Sequence, residues 1–192
     1  MNSNRLINGK HFIYIFNCLS INLLKELICE VIDNEKIIIN DNNLILLLSD
    51  KEFIEVKEYL GAMSEDIGCR ISVIKLLKVS TNEDLNLLYQ LVIDANILKN
   101  DYSSLSDLVL YYHNDEKIKK IIKELIIKAC ASDEIFKIAK AMFSENLNVS
   151  KAANKLYMHR NTLNNKLDYL EKNSGLSLRE FKDCIALYEL MK

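Results

Sequence analysis

The hydrophobic period of this chain changes once along its length, and this change constrains the fold more than any other feature. Up to about residue 100, short runs typical of strands alternate with segments of helical spacing. From Ser103 onward the apolar residues recur with helical spacing, and no strand pattern returns. The sequence has no proline and only four glycines, so this change, rather than breaker residues, locates the linker. We therefore predict an α+β first part and an all-α second part.

The first part predicts the element order β-α-β-β-α-β-α. Strand-like runs at His11–Phe16 and Lys36–Ile39 flank an amphipathic helix at Ile21–Asp33. The polar turn Asn40–Asn43 then predicts a hairpin. The other predicted elements are a strand at Leu44–Leu48, a helix at Lys51–Asp66 ended by Gly68, a strand at Arg70–Leu77, and a helix capped by Thr81 with Asp84 in its first turn. This order predicts one mostly antiparallel sheet with helices packed on a face.

Residues 148–175 are the most informative segment and predict two short helices joined by a tight turn. Asn148 is placed to cap the first helix, whose inward residues include Ala152 and Ala153. Small alanines allow two helices to cross closely. Tyr157 and Met158 form the turn, and the second helix starts at His159.

The predicted second helix has one apolar stripe and a polar remainder. Its leucines, at positions 163, 167 and 170, face the core, so Asn161, Asn165, Asp168 and Lys172 point the opposite way. Exposed Arg and Asn at a helix start suit the DNA major groove, where Asn pairs with adenine and Arg with guanine. A helical hairpin with a solvated polar face has the same spacing, so spacing alone leaves both interpretations open.

The charge distribution favours nucleic acid only locally. The net charge is −2, and residues 1–132 hold 15 basic and 19 acidic side chains. Residues 133–192 hold 10 and 8, and the segment 148–172 holds five bases against two acids. The basic character therefore coincides with the two predicted helices.

The run Tyr157–Leu163 (YMHRNTL), ending at Lys166-Leu167, closely resembles the C-terminal helix-turn-helix of the PucR/CdaR family of bacterial regulators. The resemblance extends to an Asn before Ala-Ala-x-x-Leu upstream and to Gly175–Leu178 downstream. It implies a transcriptional regulator that binds double-stranded DNA as a homodimer on a palindromic operator. We expect base contacts or alignment from Arg160, Asn161, Thr162, Asn164 and Asn165, with Lys151, Lys166 and His159 assisting at phosphates.

This sequence departs from the family pattern in two places. Many family members have Tyr-Arg where this chain has Asn165-Lys166, so base preference or phosphate contact should differ. The first half is similar to a degenerate GGDEF-like domain, but its Asn40–Asn43 turn lacks the paired glycines and the glutamate of a cyclase. We therefore expect neither cyclase nor any other enzymatic activity, and no cofactor.

No metal site or membrane segment is predicted. The three histidines lie far apart, and the five cysteines form no CxxC pair, so we interpret the cysteines as buried thiols. The N-terminal segment lacks the features of a signal peptide, and no apolar run approaches the ~18 residues that span a bilayer. We expect a cytoplasmic protein without a membrane partner.

These observations predict three parts: an α+β GGDEF-like regulatory or dimerisation domain at 1–100, a helical connector at 101–132, and a helix-turn-helix DNA-binding domain at 133–192. Ser177 and Glu180 form a predicted capping box at the start of the last helix, Leu178–Met191. This helix either completes the core of the DNA-binding domain or lies at a dimer interface. The alternative function is a truncated regulatory or interaction module that dimerises or senses a ligand without reading DNA. The sequence identifies no effector.

Overall fold

The computed structural model describes residues 10–16, 21–40, 43–67, 71–93 and 102–192. It divides into a sheet unit, residues 1–103, and a helical unit, residues 104–192. Residues 105–130, most of the predicted connector, pack within the helical unit, because helices at Leu105–Tyr111 and Glu116–Cys130 contact helices that follow them. The α+β class is confirmed.

Among its described residues, the sheet unit has a five-stranded sheet in the order β2-β3-β1-β4-β5. Strand β1 is central and pairs antiparallel with β3 and β4, and β2 pairs antiparallel with β3. Residues 12–16 of β1 form an unbroken run of apolar and aromatic residues, because both faces of the strand are buried. The strands are β1 Lys10–Phe16, β2 Ile37–Asn40, β3 Asn43–Leu48, β4 Ser72–Val79 and β5 Tyr102–Ser104.

Helices pack on the sheet through the stripes that the sequence predicts. The helices are α1 Ile21–Ile28, α2 Asp50–Ile67 and α3 Asn82–Ile93. Leu24 and Ile28 of α1, and Val56 and Leu60 of α2, join β1 and β3 in one apolar core. Before α3, the Thr81 hydroxyl accepts from the Asp84 amide at 3.2 Å, and the Asp84 carboxylate accepts from the Thr81 amide at 3.1 Å. This reciprocal cap confirms the predicted start of α3.

The structure corrects three predictions for this unit. Strand β5, Tyr102–Ser104, was missed because three residues are too few to show a period. The helix predicted to reach Asp33 ends at Ile28 and is followed by a turn and a 3-10 helix at Asn34–Lys36. Cys29 is exposed because it lies just past the end of α1, whereas Cys130 and Cys184 of the other unit are buried. Gly68, Cys18, Cys69 and the centre of the Asn40–Asn43 turn lie outside the described residues.

Lowering the pH is expected to destabilise the sheet unit through His11. Its Nδ1 atom lies 2.9 Å from the Leu76 carbonyl oxygen. Its Nε2 atom lies 2.8 Å from an Asp50 oxygen but forms no hydrogen bond among the described residues. Burial, and then the charge of Lys75, lowers the pKa of His11 below its ordinary value of 6.5. The unfolded chain therefore binds the proton more readily, and stability that is present above pH 6.5 is lost as the pH falls through the folded pKa.

Hydrogen exchange of the β1 amides at about pH 7 and about pH 5 measures this loss. In His11→Gln, this part of the pH dependence should disappear. In the matched control, His113→Gln, which replaces an exposed histidine of the other unit, it should remain. Equal pH dependence in the wild type and His11→Gln would show that His11 does not contribute.

The helical unit contains six helices: α4 Leu105–Tyr111, α5 Glu116–Cys130, α6 Glu134–Ser144, α7 Val149–Lys155, α8 Arg160–Ser174 and α9 Phe181–Glu189. Helix α9 packs against α6 and α4, and α8 packs against α5 and α7. The predicted last helix begins three residues later than expected, and the predicted capping box is wrong. The Ser177 amide donates to Asp183, and the Ser177 hydroxyl donates to Glu171. Phe181, an apolar residue of the predicted last helix, is 62% exposed.

Candidate helix-turn-helix site

Helix α7 begins and crosses its neighbours as the sequence predicts. The Asn148 side-chain oxygen accepts from the Lys151 amide at 3.1 Å, which satisfies one of the free amides at the helix start. Ala152 and Ala153 are fully buried and face the crossing with α6 and α8. Their size matters because a larger side chain at such a crossing would separate the helices.

The turn after α7 has a left-handed residue that is not glycine. Tyr157 has φ 54°, and its side chain is 98% exposed. A Cβ in this conformation crowds the following carbonyl, which costs about 1–2 kcal/mol in an L-residue. The strain in the backbone is not offset by any burial of the ring, so the identity of this residue is not explained by packing.

Replacing Tyr157 by glycine is expected to relieve this strain. Tyr157→Ala is the matched control because alanine keeps the Cβ that causes the strain. We expect the glycine variant to be more stable than the alanine variant by about 1 kcal/mol, measured by urea denaturation. Greater stability of the alanine variant would contradict the left-handed conformation of this turn.

Helix α8 starts and ends at the residues that the sequence indicates. The Nδ1 atom of His159, the N-cap, accepts from the Asn161 amide at 3.2 Å. At the other end Gly175 has φ 74°, a conformation that suits glycine and closes the helix. Leu163, Leu167 and Leu170 are buried, so the predicted apolar stripe is confirmed.

The predicted site residues lie on the first turns of α8, on its cap and on α7. Asn161 and Asn165 lie on the side of α8 opposite the leucine stripe, and both are exposed. Of the eight residues, His159, Arg160, Asn161, Thr162, Asn165 and Lys151 are exposed, and Asn164 and Lys166 are half-buried. No ion pair involves Lys151, Arg160 or Lys172 within the part of the chain that the structure describes.

Lys166 is held on one flank of α8 by an acid that the sequence analysis did not connect with it. Its Nζ lies 2.6 Å from an oxygen of Glu134, at the start of α6. Both residues line a cleft of about 360 Å³, together with Thr162, Asn165 and Tyr169. Part of the charge of Lys166 is therefore compensated within the domain.

Asn164 faces the opposite flank and is held by a residue that the sequence analysis missed. Arg179, in the segment before α9, places Nη2 3.3 Å from the Asn164 side-chain oxygen. A guanidinium only donates hydrogen bonds, so the amide oxygen of Asn164 is engaged and its NH₂ group remains available. The amide oxygen keeps a second lone pair, so Asn164 retains the donor and the acceptor that bidentate pairing with adenine needs, in an orientation set by Arg179. No local pattern marks Arg179, which lies in the turn between α8 and α9.

The described residues contain no group of three histidine, cysteine or acidic side chains that could hold a metal ion. Within the same residues, no helix combines the length and the apolar character that a bilayer crossing requires.

Residues 136–191, from within α6 to past the end of α9, match the family model of the PucR C-terminal helix-turn-helix domain. The C-terminal segment is a PucR-type helix-turn-helix domain. Domains of this family belong to transcriptional regulators. The predicted resemblance is therefore confirmed for this part of the chain.

Two other comparisons complete these findings. No match was found among curated proteins. A solved structure, the regulator of polyketide synthase expression from Bifidobacterium adolescentis, is 11% identical, with a TM-score of 0.43. The match covers 95% of this chain and 79% of that protein's chain.

Proposed function

We propose that this protein is a cytoplasmic, sequence-specific DNA-binding transcriptional regulator of PucR/CdaR type, and not an enzyme. Its PucR-type domain reads the major groove with helix α8. The observation that carries this proposal is the arrangement of the first two turns of α8, where Arg160, Asn161, Thr162 and Asn165 are exposed while the leucine stripe is buried. A polar helix start held on a buried apolar face is the arrangement that presents side chains to base edges.

Different exposed side chains take different roles in this proposal. Asn161 and Asn165 read adenine, since among the described residues no hydrogen bond occupies their side-chain amides. Arg160 is placed to contact guanine, and Thr162 to align beside a base. Lys151, Lys166 and His159 assist at phosphates, and Asn164, held by Arg179, aligns on a base.

The proposed regulator binds as a homodimer on a palindromic operator. A single helix α8 covers only a few base pairs, and two copies related by a twofold axis read two half-sites. The expected separation of the two α8 helices is ~34 Å, one turn of DNA, or a multiple of it.

The experiment that tests the proposal is an in vitro selection of duplexes from a random DNA pool by the purified protein. We expect enrichment of a palindromic motif by the wild type, and a weaker motif with Asn161→Ala, whose folded core is unchanged because Asn161 is exposed. Repeating the selection at about 50 mM and about 200 mM salt separates base reading from phosphate attraction.

Retention of DNA without an enriched motif, lost as the salt concentration rises, would contradict sequence-specific reading. The absence of any DNA binding would favour the interaction module, which dimerises or senses a ligand without reading DNA.

A further inference from the structure

Arg179 binds three residues of the face of α8 that lies beside the proposed reading side chains. Its Nη2 lies 2.8 Å from an oxygen of Asp168 and 3.3 Å from the Asn164 amide oxygen. Its Nη1 lies 3.6 Å from an oxygen of Glu171, which also accepts from the Ser177 hydroxyl at 2.9 Å. One half-buried guanidinium therefore joins the segment before α9 to the middle of α8.

These contacts involve both acids of the segment that carries the proposed DNA-binding surface. Within residues 148–172 the acidic side chains are Asp168 and Glu171, and they are 67% and 47% exposed. Exposed carboxylates beside a DNA duplex would repel its phosphates. Because Arg179 contacts both, one of their two negative charges is compensated within the protein, and Lys151, Arg160 and Lys172 remain available to DNA.

We propose that Arg179 is a positioning residue of the DNA-binding surface, which reduces the negative charge of Asp168 and Glu171 and orients Asn164. This inference rests on the proposed function. Unlike the basic side chains that contact DNA, Arg179 acts through residues of α8. Its removal leaves two carboxylates without a positively charged partner at the protein–DNA boundary.

The experiment measures the affinity of the full chain for a fluorescein-labelled, random-sequence DNA duplex. Four variants are compared with the wild type. Arg179→Gln removes the guanidinium, and Arg179→Lys keeps its positive charge without the paired Nη donors. Arg179→Gln with Asp168→Asn restores the net charge at the cluster. Arg179→Gln with Glu124→Gln is the matched control, since it restores the same net charge at an exposed acid of α5 outside the cluster.

We expect Arg179→Gln to weaken binding about tenfold at about 50 mM salt, and less at about 200 mM because screening shortens the range of the repulsion. The Asp168→Asn partner substitution should return affinity to within about threefold of the wild type, whereas Glu124→Gln should leave the defect in place. Arg179→Lys should keep most of the affinity, and it tests the inference even if Arg179→Gln does not fold.

An unchanged affinity of Arg179→Gln would overturn the inference while leaving the proposed function in place. A defect that Asp168→Asn does not rescue, or that Glu124→Gln rescues equally, would also overturn it. So would a loss in Arg179→Lys as large as in Arg179→Gln, since charge would then not be the cause. If the wild type does not bind the duplex at the lower salt concentration, the proposed function fails and this inference fails with it.

Discussion

Replacing Leu163 by alanine is expected to destabilise the helix-turn-helix by about 2–5 kcal/mol, the range measured for leucines removed from well-packed cores. Leu163 is fully buried on the inner side of α8, one turn from Leu167. Two contributions add, because the lost side chain no longer removes apolar surface from water and the surrounding helices collapse only partly into the space left behind. This is the largest effect we expect from a single substitution in the domain.

Hydrogen exchange of the α7, α8 and α9 amides, read by mass spectrometry, measures this loss apart from the sheet unit. The matched control is Asn165→Ala on the exposed side of the same helix, which should change the free energy of unfolding by less than about 0.5 kcal/mol. Equal protection in Leu163→Ala and Asn165→Ala would contradict the packing of α8 on this core.

Replacing Asn161 by alanine is expected to weaken binding to the selected duplex about 5- to 150-fold, which corresponds to the ~1–3 kcal/mol of one bidentate base contact. Asn161 lies in the first turn of α8, is exposed, and its backbone amide already donates to the His159 cap. The cap uses the backbone and leaves the side-chain amide for a base. The substitution should therefore leave both the helix start and the stability of the domain unchanged.

Fluorescence anisotropy on the selected duplex and on a scrambled duplex of the same composition separates the two components of affinity. Asn161→Ala should lose affinity for the first and keep its affinity for the second, because phosphate contacts carry no sequence information. Lys151→Ala is the informative comparison, since loss of a phosphate contact should weaken both and lower the salt dependence by about 0.9 in slope. An equal loss of both affinities in Asn161→Ala would show that Asn161 does not read a base.

The start and end of the central motif were predictable because they depend on neighbours in sequence. The Asn148 and His159 caps join residues two or three positions apart, and the Thr81–Asp84 cap spans three. The leucine stripe follows from the fixed rotation of 100° per residue in a helix. Such features need only the local backbone geometry, so a single sequence contains them.

Other features of the same domain required the path of the chain. Arg179 is 15 residues from Asn164, and Lys166 is 32 residues from Glu134, so no local period brings either pair together. From the sequence, Lys166 is expected at a phosphate and Asn164 at a base. The structure shows that one is paired with an acid and that the other has its acceptor engaged.

By itself, the sequence determined the two-part organisation, the positions of the caps and the buried stripe of α8, because these follow from chain-local geometry and the separation of apolar from polar residues. The tertiary structure decided which charges are compensated and which remain available, since that depends on distances between segments far apart in the chain. It also revealed the short strand β5 and the exposed Cys29, for which packing partners, rather than residue type, decide the outcome.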